Sequence, residues 1–156
     1  MTALPKLLTG EGAHAKVHHI LEGIELKQLG VRPDVAPHSI YEELWHLNYW
    51  QTLLLDWIDG KERAIPAHAD EGWPPRPAPV DLQEARALVR TFLEGINRAV
   101  ALASDPQRLD DAVHGRYTVR TTLESLLAHN SYHLGRVVLL RQLIGIWPPP
   151  SGGDSW

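Results

Sequence analysis

Nine of the 156 residues are histidine and none is cysteine, which directs attention to imidazole chemistry and removes disulfides, thiolate metal sites and a cysteine nucleophile. Two histidine pairs stand four residues apart, His14 with His18 and His129 with His133. On a helix that spacing puts both rings on one face, where they can converge on a single ion. With nine histidines, roughly half a pair at this spacing arises by chance, so the surrounding pattern has to decide. At about 100° per residue, Leu126, His129, His133, Val137, Leu140 and Ile144 share one narrow arc in the middle of an apolar face. Around the other pair the apolar arc is Val17, Ile20, Leu21 and Ile24; His14 lies at its edge and His18 nearly a right angle away. The first pair therefore points inward, whereas the second straddles the solvent boundary. Buried rings need partners, and either a metal ion or hydrogen bonds in the core would supply them.

A third imidazole favours the metal. His46 shares a face with Trp50, Leu53 and Trp57. Three neutral imidazoles around one ion at about 2.0–2.1 Å leave a position open for water or substrate, as reactive sites do and structural ones do not. His46, His129 and His133 are the expected ligands. All-imidazole ligation suits zinc, nickel or iron without choosing among them. A divalent ion so held would act as a Lewis acid on water or on a small-molecule thiol. Because the chain has no cysteine, that thiol would have to arrive as a cosubstrate.

Four elements must position these rings, and the 3.6-residue period predicts four helices. The first is expected over 11–29, closed by Gly30. The second spans 39–59, with Ser39 and Glu42 as a capping box and Gly60 behind it. The third spans 82–103, with Asp81 and Glu84 forming the same box. The fourth spans 122–144, with Thr121 and Glu124 at its start and Gly145 past its end. No alternating β-branched run predicts a strand. Residues 60–80 carry Pro66, Pro74, Pro75, Pro77 and Pro79. They read either as a crossover long enough to traverse a bundle or as a disordered proline-rich insert. With the crossover, helices two and three run in parallel. The expected fold is all-α, a four-helix bundle with up-down-down-up order, in one domain over 1–156 with an extended tail at 148–156.

The composition excludes several classes. A hydrophobic content of 44%, 22% charged residues and a formal charge of −4 describe an ordinary globular chain. Nothing basic enough for nucleic acid stands out, and no apolar run is long enough for a membrane span. The opening residues lack a secretory apolar core, so a cytoplasmic location is expected.

Other side chains fall near the expected centre. Glu43 lies near the middle of helix two's apolar arc, one turn before His46. It reads as a carboxylate that orients an imidazole, as a proton acceptor for bound water, or as a first-turn acid favoured by the helix dipole. Arg136, one turn beyond His133, would hold an anionic substrate group or sit on a solvated rim. Tyr49 and Tyr132 are candidate hydroxyls of a small-molecule pocket, and Trp50 and Trp57 are read as core or as its wall. His14 is not taken as a ligand, and His38, His68 and His114 are expected at the surface or at caps. Trp45 points away from Trp50 and Trp57, and an exposed tryptophan there suggests a homodimer interface.

One histidine in helix two, the run Ala128-His129-Asn130-Ser131-Tyr132-His133-Leu134-Gly135, and Leu139-Leu140-Arg141-Gln142-Leu143-Ile144-Gly145-Ile146-Trp147-Pro148 together resemble the DinB-like superfamily of helical metalloproteins. Gly10-Glu11-Gly12-Ala13-His14 and Pro37-His38-Ser39 resemble one branch of it. The resemblance covers nearly the whole chain and implies ligands at His46, His129 and His133. It also implies a homodimer. Relatives include thiol-dependent transferases using bacillithiol or glutathione, mycothiol-dependent maleylpyruvate isomerases, and proteins assigned as metal-dependent hydrolases. Arg136 departs from the pattern, where many relatives carry Gln, which bears on substrate preference and not on metal binding.

Overall fold

The computed structural model describes residues 3–152. Three long helices dominate: α4 (Ile40–Ile58), α5 (Leu82–Ala103) and α6 (Val119–Leu143). Ahead of them lie three short ones, α1 (Leu4–Leu8), α2 (Val17–Leu21) and α3 (Leu26–Leu29). The expected first helix over 11–29 is therefore not continuous. Backbone at φ +81° for Gly12 and +69° for Gly23 is left-handed, a conformation open to glycine and foreign to a helix. Glu25 then starts a new turn through a capping box with Gln28. The apolar arc read there is nonetheless real, since Val17, Ile20 and Leu21 are buried.

Helix α4 starts as its sequence dictates. Ser39 Oγ accepts from the Glu42 N–H and the Glu42 side chain accepts from the Ser39 N–H. Asp81 caps α5 by accepting from the Glu84 N–H, but the box does not close. Glu84 instead accepts from the Val80 N–H and pairs with Arg76. Helix α6 begins three residues earlier than expected, with Thr118 and Thr121 as its box. A small antiparallel hairpin precedes it, Ala112–His114 (β1) with Tyr117–Thr118 (β2). Gly115 turns it at φ +56°, and strands of three and two residues are too short to show alternation.

Side-chain pairings give the helix directions. Tyr41 with Glu84, Asn48 with the Leu88 carbonyl, Gln51 with the Phe92 carbonyl and Asp59 with Arg98 ascend together. Helices α4 and α5 thus run in parallel, as the crossover requires. Glu43 with Arg136, His46 with His129 and Trp57 with Tyr117 run in opposite order, so α6 is antiparallel to α4. The linker between α4 and α5 is ordered against the helices: Ser39 Oγ donates to the Pro77 carbonyl and Trp57 Nε1 to the Arg63 carbonyl. It carries one 3-10 turn, Ala69–Gly72.

Buried side chains form two clusters. One gathers Ile40, Leu44, Leu47, Phe92, Leu134 and Val137; the other gathers Leu53, Trp57, Leu109, Leu123 and Leu126. The described part of the tail packs down, with Pro149 buried and Ser151 donating to Glu22. Residues 153–156 of the expected extended tail lie outside the described residues. Among the described residues, no helix is long and apolar enough to cross a membrane.

Candidate metal centre

Between the two apolar clusters lies a polar layer made by α4 and α6. Moving along α4, Leu44 and Leu47 belong to one cluster and Leu53 to the other; Gln51 falls between them, and His46 lies at the inner end of the first. Along α6, Leu126 and Leu134 likewise bracket His129, Asn130 and His133. Antiparallel packing brings the two layers into register. One nitrogen from each of His46, His129 and His133 lies within 4.8 Å of the others, and His46 and His133 are buried.

Hydrogen bonds fix which nitrogen faces the centre. His46 Nδ1 is 2.7 Å from the Gly72 carbonyl. A carbonyl only accepts, so Nδ1 carries the hydrogen and Nε2 keeps its lone pair. His133 Nδ1 is 2.7 Å from Glu43 Oε2, which frees its Nε2 in the same way. His129 Nε2 lies 3.2 Å from His46 Nε2. Two nitrogens bound to one tetrahedral ion at about 2.0–2.1 Å stand roughly 3.3–3.4 Å apart, so the observed gap suits a shared cation.

Burial, and secondarily His133 and His46 nearby, push the His129 pKa down to about 4. Burial also lowers His46, against the opposing hydrogen bond to Gly72. Both shifts favour the neutral imidazole that ligates. His129 Nδ1 and Asn130 Oδ1 are buried without hydrogen bonds, a donor and an acceptor on adjacent residues.

Glu43 is fully buried. Its Oε2 bonds His133, and its Oε1 lies 2.9 Å from the Arg136 guanidinium. Of its three readings, the geometry matches a carboxylate that orients an imidazole. Glu42, bonded to the Ser39 N–H and to Arg32, already serves the helix start. Arg136 is turned onto Glu43 and lies over the Tyr132 ring at 5.9 Å.

The other expected pocket residues separate. Trp50 stands near both His46 and His129, at 6.3 and 6.1 Å between ring centroids. Tyr49 stacks on Trp45 and lines a different depression with Asn48, Thr52 and Leu88. Trp45 is itself half-buried against the core, so it is not the exposed tryptophan that the dimer expectation rested on. His14 is outside the cluster, with Nε2 3.3 Å from Ser131 Oγ and Nδ1 bonded to the Ala15 carbonyl. His114 stacks on Trp57.

The sequence reading missed the cover over this centre. Trp73 is sandwiched between His46 at 4.0 Å and His38 at 3.7 Å, with ring planes 13° and 7° from parallel. Gly72, whose carbonyl orients His46, is buried beneath Trp50. An isolated tryptophan in a proline-rich linker was the available signal, but it has no periodicity to read.

Two long helices thus present three imidazoles to one point, which defines a helical protein with a centre able to take a metal ion. Residues 10–136 match the DinB superfamily, most of the chain, and the protein belongs to that superfamily. No curated protein and no solved structure matches it.

Proposed function

We propose that His46, His129 and His133 hold one divalent cation (zinc, nickel or iron) through their Nε2 atoms. On this reading the protein is a metal-dependent enzyme of the hydrolase or thiol-dependent transferase class acting on a small molecule. The observation that carries the reading is the convergence of three imidazole nitrogens, two of them fixed in tautomer by Gly72 and Glu43. Without a cation, three imidazoles, two of them buried and the third partly so, face one another with few other partners, a costly arrangement.

When bound, the ion supplies Lewis acidity that lowers the pKa of water or of a thiol cosubstrate. The chain's residues do the rest. Gly72 and Glu43 hold two rings in their ligating tautomer. Trp73 and Trp50 keep bulk water from His46, and Arg136 pairs its charge with Glu43.

Metal analysis of the purified protein tests the proposal. Stoichiometric metal that is lost in His129→Ala and kept in His14→Ala supports it, and no metal after growth and dialysis in zinc, nickel or iron overturns it. Turnover of electrophiles, with and without low-molecular-weight thiols, should vanish with chelator. A second reading, a metal-binding protein without turnover, is favoured by the cover of Trp73 over His46. Full metal occupancy with no activity across such a panel would select it.

We further propose a homodimer in the cytoplasm. Its support is now a stripe on α6, where Tyr132, Leu139 and Leu143 are 64%, 54% and 48% exposed and share a helix face at spacings of seven and four.

A further inference from the structure

A cavity of about 280 Å³ opens beside the imidazole cluster, between α4, α6, the hairpin and the linker. Trp50, Trp57, Tyr117, Leu54 and Ile65 line it, and the His129 ring forms one wall. Among the described residues, no carboxylate, lysine or arginine borders it. Its two hydroxyls are Thr122, whose Oγ1 already donates to the Thr118 carbonyl, and Ser125. The aromatic walls are braced from outside the cavity. Trp57 Nε1 donates to the Arg63 carbonyl, and the His114 ring stacks on Trp57 at 4.3 Å with planes 9° apart.

We propose that this cavity binds the substrate of the metal centre and that the substrate presents a neutral aromatic or compact apolar group there. The inference deepens the function proposed above and rests on it for the link to the metal. Two facts carry it. The cavity and the cluster share His129, so a molecule filling one lies against the other. The lining also provides no counter-charge, and burying a carboxylate or an ammonium there would leave it unpaired. The nearest cation on the opposite side of the cluster, Arg136, is already matched by Glu43 and lines a separate depression. A space of this size suits one substituted ring. Specificity in such sites comes from apolar walls and one directed polar group, and here the directed group is the metal.

The test has two arms. In the first, ¹⁵N-labelled, metal-free protein is titrated with p-cresol and separately with 4-methylbenzoate, and the indole signals of Trp50 and Trp57 are followed. The neutral ring should shift both signals and bind at least tenfold more tightly than the carboxylate. Ser125→Trp, a substitution at an exposed position of α6 bordering the cavity, should abolish the shifts. Equal affinity for the two probes, or no shift at either indole, overturns the proposal.

In the second arm, cobalt-loaded protein is titrated with imidazole and with 4-phenylimidazole, read in the visible spectrum. The phenyl group should tighten binding at least tenfold. Ser125→Trp should cancel that gain while leaving the affinities for cobalt and for imidazole unchanged. A gain below threefold, with cobalt bound, refutes the link between cavity and metal. Failure to bind cobalt at all refutes the metal reading and with it the link, whereas the first arm still decides whether the cavity selects neutral rings.

Discussion

The carboxylate behind His133 gives the sharpest test of how this centre is built. Glu43→Gln keeps a side-chain oxygen that can accept from His133 Nδ1, now 2.7 Å from the carboxylate, and removes one negative charge. Loss of a partner of a ligating histidine weakens metal affinity by about 10–100-fold, or roughly 1.4–2.7 kcal/mol. Two features place the expected loss near the lower limit. The amide retains the acceptor, and Arg136 at 2.9 Å already offsets part of the charge. We expect metal affinity about tenfold weaker.

Arg136→Met should act in the opposite direction. It leaves the carboxylate facing the imidazole without its counter-charge, so affinity should rise roughly threefold as the ligand gains basicity. The metal-free protein should lose about 2–3 kcal/mol, because a buried charge loses its partner. The assay is competition against a chromogenic chelator at fixed pH and ionic strength, with denaturant unfolding of the metal-free proteins alongside. The rival account of Glu43, an acid serving only the helix dipole, gives a different result: about 0.3–1 kcal/mol of stability lost and unchanged metal affinity. Affinity within twofold of the parent for Glu43→Gln would refute the reasoning.

Other consequences are as direct. Because burial pushes His129 down to about 4 while the unfolded chain titrates near ~6.5, the unfolded state takes up the proton first on acidification. Stability of the metal-free protein should therefore be whole above pH ~6.5 and fall between there and pH 4, by about 1–2 kcal/mol once discounted for the ring's partial exposure; urea midpoints against pH measure it, and a midpoint that rises on acidification contradicts it. Trp73→Leu should weaken metal binding about tenfold by unstacking His46 and should remove the component of tryptophan emission that responds to metal, read by fluorescence titration. Arg141, fully buried with Nη1 2.5 Å from the Ile20 carbonyl and Nη2 3.0 Å from that of Ile146, ties α6 to α2; Arg141→Leu should cost roughly 2–4 kcal/mol with metal affinity unchanged. Leu139→Glu should convert a dimer to monomer in light scattering, and an unaltered mass would remove α6 from the interface.

The parts of the centre that were legible in sequence are those set by helical period. His129 and His133 on one arc, and His46 on the face of Trp50 and Leu53, follow from spacing alone once the helices are granted, and α4 and α5 announce their own starts at Ser39 and Asp81. The parallel run of α4 and α5 followed from the length of residues 60–80. What failed was set by tertiary structure. The 11–29 stretch carries the arc of a helix, but Gly12 and Gly23 take backbone that no helix allows, and Gly23 is held there with Pro150 against it. Trp73, Gly72 and His38 act at the centre through stacking and a single carbonyl, neither of which leaves a repeat in sequence. Tyr49 shared a helix with His46 and still faces elsewhere, because adjacency on α4 says nothing of which neighbour, α5 or α6, a given residue meets.

The polar layer also explains why such a centre is stable at all. Glu43, His46, Gln51, Asn130 and His133 are all buried, and each would oppose folding if left unpaired. They lie along about two turns of α4 and one of α6, where the two apolar clusters meet, so the antiparallel register that sets Leu44 and Leu47 in one cluster with Val137, and Leu53 in the other with Leu126, brings these polar groups together. Asn130 donates to Gln51 and Gln51 to the Phe92 carbonyl, which binds α4, α5 and α6 at this level. A slip of one turn between α4 and α6 would part Glu43 from His133 and His46 from His129. The layer thus favours a single register, and the apolar clusters on either side supply the free energy that holds three imidazoles around one point.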